Sequence, residues 1–315
     1  MAAKNTTKGK QPKTPIRRMC GAMEVHMRLV ESDPDMRKRR AQIHAATEIM
    51  VARGTAFKRV AAKKVPVAIP VVVHVVYKTA AENIPLAQIQ TQIDALNRDY
   101  SAVNPDKSNT PAVWQGLIVD SQIRFALATK DPSGKATNGI TRDKTRLASF
   151  STHDEVKRKA TGGADPWPSN KYLNLWVCTL GGGLLGYAQF PGGPAATDGV
   201  VILNTAFGTT GTATAPFNLG RTATHEVGHW LNLNHIWGDT SDCSGTDHVS
   251  DTPKAQLPNY DSPKFPHISC SNGPNGDMFV NYMDYVDDRI MVMFTHGQVA
   301  RMQATLAGPR AAMGT

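Results

Sequence analysis

One eleven-residue stretch, HEVGHWLNLNH at positions 225–235, concentrates side chains that can bind a transition metal. It contains three of the chain's 10 histidines, at offsets of 0, 4 and 10. On a helix, His225 and His229 would share one face, where two imidazoles can bind one Zn²⁺. Glu226 would lie beside them as a general base. The spacing therefore predicts metal-assisted hydrolysis.

The third histidine of this stretch, His235, strengthens that prediction. Catalytic zinc uses three protein ligands and leaves a fourth position open. His235 can reach the same point only if the helix ends and the chain turns back. Asn232 is suited to that turn, because asparagine, after glycine, best tolerates a left-handed backbone conformation. The alternative, a helix with unrelated histidines, leaves the third histidine unexplained.

The elements around this stretch alternate between strand and helix patterns, and then give way to loops. Apolar runs too short to cross a bilayer predict buried strands. Residues 238–277 are rich in Gly, Asp, Ser, Pro and Asn, and predict little regular structure. The predicted fold class is α+β, with two unequal lobes. The predicted strands are 65–77, 123–128, 171–180 and 199–207; the predicted helices are 37–52 (apolar side Ile43, Ala46, Ile49 and Met50), 84–103, the zinc helix and 297–308.

Charge is unevenly distributed along the 315 residues, whose formal net charge is +9. Residues 1–64 contain 16 lysines and arginines against 5 acids, which leaves 19 against 21 in the remainder. One hypothesis is an arm that binds nucleic acid, with salt-dependent affinity. However, no aromatic residue is interspersed among the basic ones before Phe57, so the arm offers no surface for base stacking. A solvated arm is favoured, and no nucleic-acid or membrane partner is expected.

Four motifs together resemble the pappalysin family of metzincin metallopeptidases, and most of all its ulilysin-like members. They are HEVGHWLNLNHIWGD, CSGTDHVSDTP, NYMDYVDDRIMVMFTHGQVARM and LGYAQFPGGPAATDGVVI, and the similarity covers about residues 65–310. The resemblance implies a two-lobed catalytic domain. A mixed, twisted sheet and the zinc helix would form the lobe that ends near residue 235, and a loop-rich lobe would follow at 236–315. At Asn232 the chain departs from the glycine that families with this motif have.

The resemblance also implies an activity, the hydrolysis of peptide bonds in proteins or peptides. His225, His229 and His235 would bind the zinc, and Glu226 would take a proton from water and pass it to the leaving amine. An alternative is a catalytically inactive, zinc-stabilised binding protein of the same fold. The intact Glu226 argues against it, because this residue makes no metal bond.

Three residues of the NYMDYVDD segment receive roles from the same resemblance. Met283 would form an apolar floor under the metal, and Tyr285 would hydrogen-bond the tetrahedral intermediate. The alternatives are a plain apolar strand with incidental methionines and a packed aromatic ring. Asp288 would lie at the base of the pocket just after the scissile bond and select Arg or Lys there, although the neighbouring Asp287 is also a candidate.

The loop-rich stretch is flanked by Cys243 and Cys270, whose bridge the resemblance supports. Such a disulfide would stabilise the fold by ~3–4 kcal/mol through loop closure and implies an oxidising compartment. No apolar signal segment is present in the first thirty residues, yet export is favoured, so an extracellular protein is predicted. Cys178, in an apolar strand, is expected to be a buried free thiol. Oligomeric state is left open.

The same stretch holds oxygen ligands suited to calcium, which are Asp247, Asp251 and Thr252. From spacing alone, turn residues that bond their own backbone are an equally good interpretation. The family resemblance favours Ca²⁺.

The basic arm is predicted to be a prosegment, residues 1–52, that keeps the catalytic domain, residues 53–315, latent. Its one cysteine, Cys20, could fill the open zinc position, or could be a free cysteine in a disordered tail. If the enzyme cuts before basic residues and matures itself, the predicted first residue of the mature chain is Arg53. The alternatives are Lys58, Arg59 and Lys63.

Overall fold

The computed structural model describes residues 17–54 and 65–313. Its helices are α1 (Ala22–Ser32), α2 (Pro34–Ala52), α3 (Leu86–Tyr100), α4 (Ala112–Gln115), α5 (Arg221–Trp230) and α6 (His296–Ala307). Its strands are β1 (Val67–Tyr77), β2 (Ile123–Leu127), β3 (Ile140–Lys144), β4 (Leu173–Cys178), β5 (Gly186–Ala188), β6 (Val200–Leu203), β7 (Tyr260–Asp261) and β8 (Tyr285–Val286). Short 3-10 turns lie at Pro105–Asn109, Glu155–Lys157, Lys159–Thr161, Ala195–Thr197 and Asn204–Ala206. Within the described residues, none of the helices is both long enough and apolar enough to cross a bilayer.

Six strands form one mixed sheet in the order β2-β1-β4-β6-β5, with β3 beside β1 beyond the end of β2. All neighbours are parallel except β5 and β6, which are antiparallel. β2 pairs with residues 67–71 of β1, and β3 with residues 73–77. This arrangement confirms the predicted α+β class. The four predicted strands are present, each shorter than predicted, whereas the polar β3 and the three-residue β5 were not predicted.

β1 occupies the centre of the sheet because its sequence is almost continuously apolar. Val71, Val73 and Val75 pack into the main core, which also contains residues of α3 and α5. Val72 and Val76, which alternate with them, belong to separate apolar clusters. Successive side chains of a strand point to opposite faces. Burial on both faces is therefore what a parallel strand between two layers requires.

The helix α1 precedes the sheet, and no helix was predicted there. It buries Ala22, Val25 and Leu29, whose spacing of three and four residues is helical. The run is short, and Pro34 separates it from α2. Asp33 caps α2 by accepting a hydrogen bond from the Asp35 N–H at 3.0 Å.

The helix α2 confirms the predicted element 37–52 but only part of its predicted apolar side. Ile49 is 52% exposed, whereas the buried positions are Met36 and Thr47. α2 packs against α6, which presents the buried polar side chain of Arg301 there. Of the predicted apolar side, Ile43 and Met50 are half-buried, whereas Ala46 and Ile49 are exposed, so the spacing predicted only part of the buried face.

After α5, the chain is mostly irregular, as predicted for residues 238–277. Within that range, the only strand of the described chain is β7, which pairs with β8 in a two-residue ladder. A disulfide joins Cys243 to Cys270 across this segment. Cys178 is a buried free cysteine, as expected. α6 then begins at a capping box formed by Thr295 and Gln298.

Candidate active site

The helix α5 ends where the three-histidine geometry requires. Its last residue is Trp230, and Asn232 takes the left-handed conformation with φ +75°. The N–H of Leu233 donates to the carbonyl of Gly228 at 2.9 Å, which closes the helix end. The chain then turns back and brings His235 towards the helix. The asparagine at this position therefore makes the turn that the sequence predicted.

The three histidines meet through their Nε2 atoms. The Nε2 of His229 lies 3.1 Å from that of His225 and 3.0 Å from that of His235. The Nδ1 atom of each ring faces an oxygen. That of His225 lies 2.7 Å from the Tyr282 carbonyl, and that of His229 lies 2.7 Å from the Leu233 carbonyl. That of His235 lies 2.6 Å from Oδ1 of Asp239.

These contacts define the protonation of the rings and test the fit of a metal. A hydrogen on each Nδ1 leaves all three Nε2 atoms as lone-pair acceptors, which cannot hydrogen-bond one another. Burial and the neighbouring imidazoles lower the pKa of His225, and burial lowers that of His229. Tetrahedral zinc with ligands at ~2.0–2.1 Å places nitrogens about 3.3 Å apart. The cluster therefore suits a zinc ion, with oxygen partners that orient each ring.

Glu226 lies next to this cluster at the edge of the sheet. Burial raises the pKa of its carboxyl to about 8, although a hydrogen bond from Cys20 and the charge of Arg18 oppose the shift. Gly186 of β5 allows this approach, since a Cβ there would lie 2.9 Å from Cγ of Glu226. A larger residue in β5 would push the carboxylate away from the histidines.

The segment beneath the histidines carries Met283 and Tyr285. Met283 is fully buried, and its sulfur would lie 2.6 Å from a Cβ built on Gly228. The glycine of HEVGH therefore lets the methionine pack directly against α5. The ring of Tyr285 lies 5.0 Å from that of His235, and its hydroxyl is 3.5 Å from the carbonyl oxygen of Cys20.

Cys20 fills the space in front of the histidines. One ligand atom from each of Cys20 and the three histidines lies within 4.8 Å of the others. Its sulfur is 3.4 Å from Oε2 of Glu226. Burial, and then the Glu226 charge, raise the pKa of the thiol, so it needs a cation beside it to ionise. Backbone bonds align residues 19–21 with β5: Leu185 N–H donates to the Met19 carbonyl at 3.0 Å.

Arg18, two residues before Cys20, reaches Asp288. Its Nη2 donates to Oδ1 of Asp288 at 2.6 Å, and both side chains are almost wholly buried. The same guanidinium donates to the Thr222 hydroxyl at 3.1 Å and to the Val286 carbonyl at 3.2 Å. The other oxygen of Asp288 accepts from the Leu219 N–H at 2.7 Å. This carboxylate thus holds the Arg18 guanidinium in a buried ion pair.

The neighbouring acid, Asp287, points elsewhere. Its carboxylate lies 3.4 Å from the Ser262 hydroxyl and 3.8 Å from Nε of Arg289, an exposed side chain. Of the two candidate pocket acids, only Asp288 faces Arg18.

The structure brings two of the three candidate calcium ligands together. The hydroxyl of Thr252 donates to Oδ2 of Asp247 at 2.7 Å, and burial raises the pKa of Asp247 to about 7. The carboxylate of Asp251 instead accepts from the Thr295 hydroxyl at 2.7 Å and the Gly297 N–H at 2.8 Å. Asp251 therefore hydrogen-bonds the first turn of α6 and does not join the other two candidate ligands.

Three residues of the site were not singled out from the sequence. Arg18 precedes Cys20 in RRMCG, and an acidic pocket predicted for basic side chains was a reason to consider it. Asp239 lies four residues after His235, a spacing that could have suggested a partner for the ring. Gly186 offered no comparable signal, since its role depends on how closely β5 approaches α5.

Comparison with known proteins extends these observations. A model of the pregnancy-associated plasma protein-A peptidase family matches residues 156–307. An extracellular metalloprotease of Pyricularia oryzae is 34% identical over 305 residues, 93% of this chain and 89% of that protein. A promirolysin mutant from Tannerella forsythia has 43% identity and a TM-score of 0.85, covering 94% of this chain and 97% of that one. Mature mirolysin from the same organism, in complex with a cleaved peptide, has 50% identity and a TM-score of 0.77, covering 79% and 96%.

Fold and site together define a zinc metalloendopeptidase with a metzincin-type catalytic domain. The chain belongs to the pregnancy-associated plasma protein-A family of metallopeptidases, and it is similar to mirolysin, a ulilysin-like member. The predicted family, fold class and enzyme class are confirmed. The roles of individual side chains remain predictions.

Proposed function

We propose that this chain is a latent zinc endopeptidase that cleaves peptide bonds before Arg or Lys. The observation that carries the proposal is the buried pair of Arg18 and Asp288. Arg18 lies two residues before Cys20, whose sulfur faces the three histidines. An arginine already lies in the pocket that would hold the residue after the scissile bond. This buried arginine supports the proposal that the pocket accommodates a basic side chain.

His225, His229 and His235 would hold the zinc ion. Bound there, zinc would polarise the scissile carbonyl and acidify the attacking water. Oε2 of Glu226 would take the proton of that water and deliver it to the leaving nitrogen. Departure of Cys20 would also return water to Glu226 and so reduce the burial that raises its pKa.

Tyr285 is proposed to stabilise the reacting carbonyl. Its hydroxyl already lies 3.5 Å from the carbonyl oxygen of Cys20, which is a backbone group in front of the histidines. A substrate carbonyl in a similar place could accept a hydrogen bond from it. Met283 would support the site from below without contacting the reacting atoms.

The preference for a basic side chain would follow from the burial of the Asp288 carboxylate. Burying a carboxylate without a cation is costly, so a substrate that lacks a positive side chain would leave it unpaired. Arg18 satisfies this carboxylate in the latent form.

Residues 1–52 are proposed to be the prosegment and residues 53–315 the catalytic domain. The mature mirolysin structure matches 79% of this chain and the promirolysin mutant 94%, a difference that fits a removable N-terminal part. Arg53 follows α2 and precedes Gly54, so it can extend into a cleft more readily than a helical residue. The alternatives, Lys58, Arg59 and Lys63, lie outside the described residues.

Two further parts of the proposal concern the C-terminal lobe and export. We propose that Asp247 and Thr252 bind a calcium ion. Asp251 would hold the same loop in place through its hydrogen bonds to the start of α6. The Cys243–Cys270 disulfide, together with relatives named extracellular metalloproteases, supports an oxidising, extracellular location.

The decisive experiment is a peptide-library assay of the activated protein, with and without a zinc chelator, beside Glu226→Ala. We expect cleavage before Arg or Lys that the chelator and the substitution both abolish. N-terminal sequencing of the mature chain should give Arg53. Failure to cleave any peptide after prosegment removal would favour the inactive binding protein. A Glu226→Ala chain that still matures alone would exclude self-processing.

A further inference from the structure

A second group of metal-ligand side chains lies where α2 meets the C-terminal lobe. His44 and Glu48 are four residues apart on α2 and so share one face, and His248 comes from the loop after α5. One ligand atom from each lies within 4.8 Å of the other two. The ring centroids of His44 and His248 are 3.8 Å apart, and Nδ1 of His248 is 3.5 Å from Oε1 of Glu48.

This set has the chemistry of a transition-metal site. Two imidazoles and one carboxylate form a ligand set that zinc uses in proteins, with water at the remaining position. The side chains of His248 and Glu48 are 32% and 58% exposed, so an ion and its water can enter without opening the fold. The carboxylate also offsets part of the ion's charge.

Arg301 of α6 is the main feature that opposes binding. Its guanidinium lies 3.3 Å from Nδ1 of His44, and it also donates to the carbonyls of His248 and Asn232. A neutral imidazole that binds an ion through one nitrogen carries its hydrogen on the other. Ion binding through Nε2 of His44 would therefore end the contact with Arg301 but leave both carbonyl contacts. We expect weaker affinity here than at the three-histidine cluster.

We propose that His44, Glu48 and His248 form a second zinc site, which fastens the prosegment to the C-terminal lobe. Two of its ligands belong to the segment that maturation would remove, and the third stays with the catalytic domain. The full set therefore exists only while α2 is docked. An ion that binds only the docked form stabilises that form by a free energy that rises with the logarithm of the ion's concentration once this exceeds Kd. Zinc would thus slow the activation of the zymogen, an effect that rests on the function proposed above.

The test uses the full chain with Glu226→Ala, which keeps the prosegment attached. Equilibrium dialysis against Zn²⁺, followed by metal analysis, should give two zinc ions per chain. Adding His44→Ala, or the more conservative Glu48→Gln, should reduce this to one. His153→Ala, which removes an exposed histidine elsewhere, is the matched control and should leave two. Zn²⁺ added to the protein with one zinc bound should also raise its Tm, and it should not do so in His44→Ala.

The two zinc sites can be tested separately. His225→Ala removes the ion on which the proposed peptidase function depends, whereas His44→Ala and Glu48→Gln remove only the second one. A single zinc per chain in the starting protein, or a second zinc that persists in both α2 variants, would overturn the inference and leave the peptidase proposal intact.

Discussion

Asn232, which turns the chain between the second and third histidines, accepts a hydrogen bond from Arg40 of α2 at 2.8 Å. Its side-chain nitrogen also lies 3.4 Å from the hydroxyl of Thr47, a buried residue of the same helix. One side chain therefore joins the turn behind the histidine cluster to α2, which lies in the proposed prosegment. Glycine would make the turn equally well at φ +75° but could not make either contact.

Asn232→Gly should therefore weaken latency while the mature enzyme keeps its turn. A hydrogen bond to a charged group contributes ~1.5–3 kcal/mol, so we expect the zymogen to mature about tenfold faster. Arg40→Met is the companion variant, because it removes the same bond from the segment that is discarded. In a double-mutant cycle, the two effects should not add. Additive effects on the half-time of maturation would show that the contact carries no coupling.

The pocket acid gives a second prediction. Asp288→Asn removes the charge and retains an oxygen for the Leu219 N–H. We expect kcat/KM for cleavage before Arg to fall at least 30-fold, which corresponds to ~2 kcal/mol or more. Asp287→Asn is the matched control, since that carboxylate faces Ser262 and Arg289. If Asp287→Asn alone abolished the preference for basic residues, the pocket would be assigned to the wrong acid.

The parts of this site that depend on residues close together in the sequence could be predicted, and the other parts could not. The three-histidine geometry could be predicted because it depends on helical spacing and on the left-handed preference of Asn232. The pairing of Arg18 with Asp288 could not be predicted, because the two residues are 270 positions apart and meet only where the folded N-terminal arm packs against the rest of the chain. The buried side of α2 was only partly predicted for the same reason, since its partner surface includes the buried polar side chain of Arg301.

The disulfide gives a prediction about stability. The bond between Cys243 and Cys270 spans 27 positions in a region with little apolar burial. Its removal should cost ~3–4 kcal/mol, which is roughly 5–10 °C in Tm for a domain of this size. Thermal unfolding of the double variant Cys243→Ala, Cys270→Ala measures this. A reductant should lower the Tm of the parent protein but not that of the variant, and equal sensitivity would contradict the assignment.

The partly buried ring of His26 predicts that acid weakens docking of the proposed prosegment. Burial, and then the charge of Arg40, lower its pKa from 6.5 to about 4, while Asp239 opposes the shift. A histidine with a lowered pKa favours the docked form above pH 6.5, and this contribution is lost as the pH falls towards 4. We expect the Tm of the Glu226→Ala zymogen to fall between pH 7 and 5, and to fall less in His26→Phe. The same substitution at the exposed His153 is the control; equal falls in all three proteins would exclude this role for His26.

The last prediction separates the two proposed anchors of the latent state, Cys20 and Arg18. Cys20→Ala would free the fourth position at the histidine cluster. Arg18→Ala would empty the pocket and leave the buried Asp288 without its cation, a loss that commonly costs several kcal/mol. Each variant should shorten the half-time of maturation at least tenfold, as followed by the loss of the full-length band. Arg18→Lys should lie between Arg18→Ala and the parent, because lysine keeps the charge but not the forked geometry.

The control for both anchors is Arg17→Ala. Arg17 is exposed, with its guanidinium 4.9 Å from the centre of the Tyr260 ring and 4.0 Å from Asp261, and exposed pairs contribute little. Its removal should leave the half-time within about twofold. Because Cys20→Ala leaves Arg18 in the pocket, we expect this variant to stay inactive towards peptide substrates until its prosegment is cleaved. Full activity of intact Cys20→Ala towards small peptides would show that the thiol alone keeps the enzyme latent, and unchanged latency in both variants would place the block elsewhere in the arm.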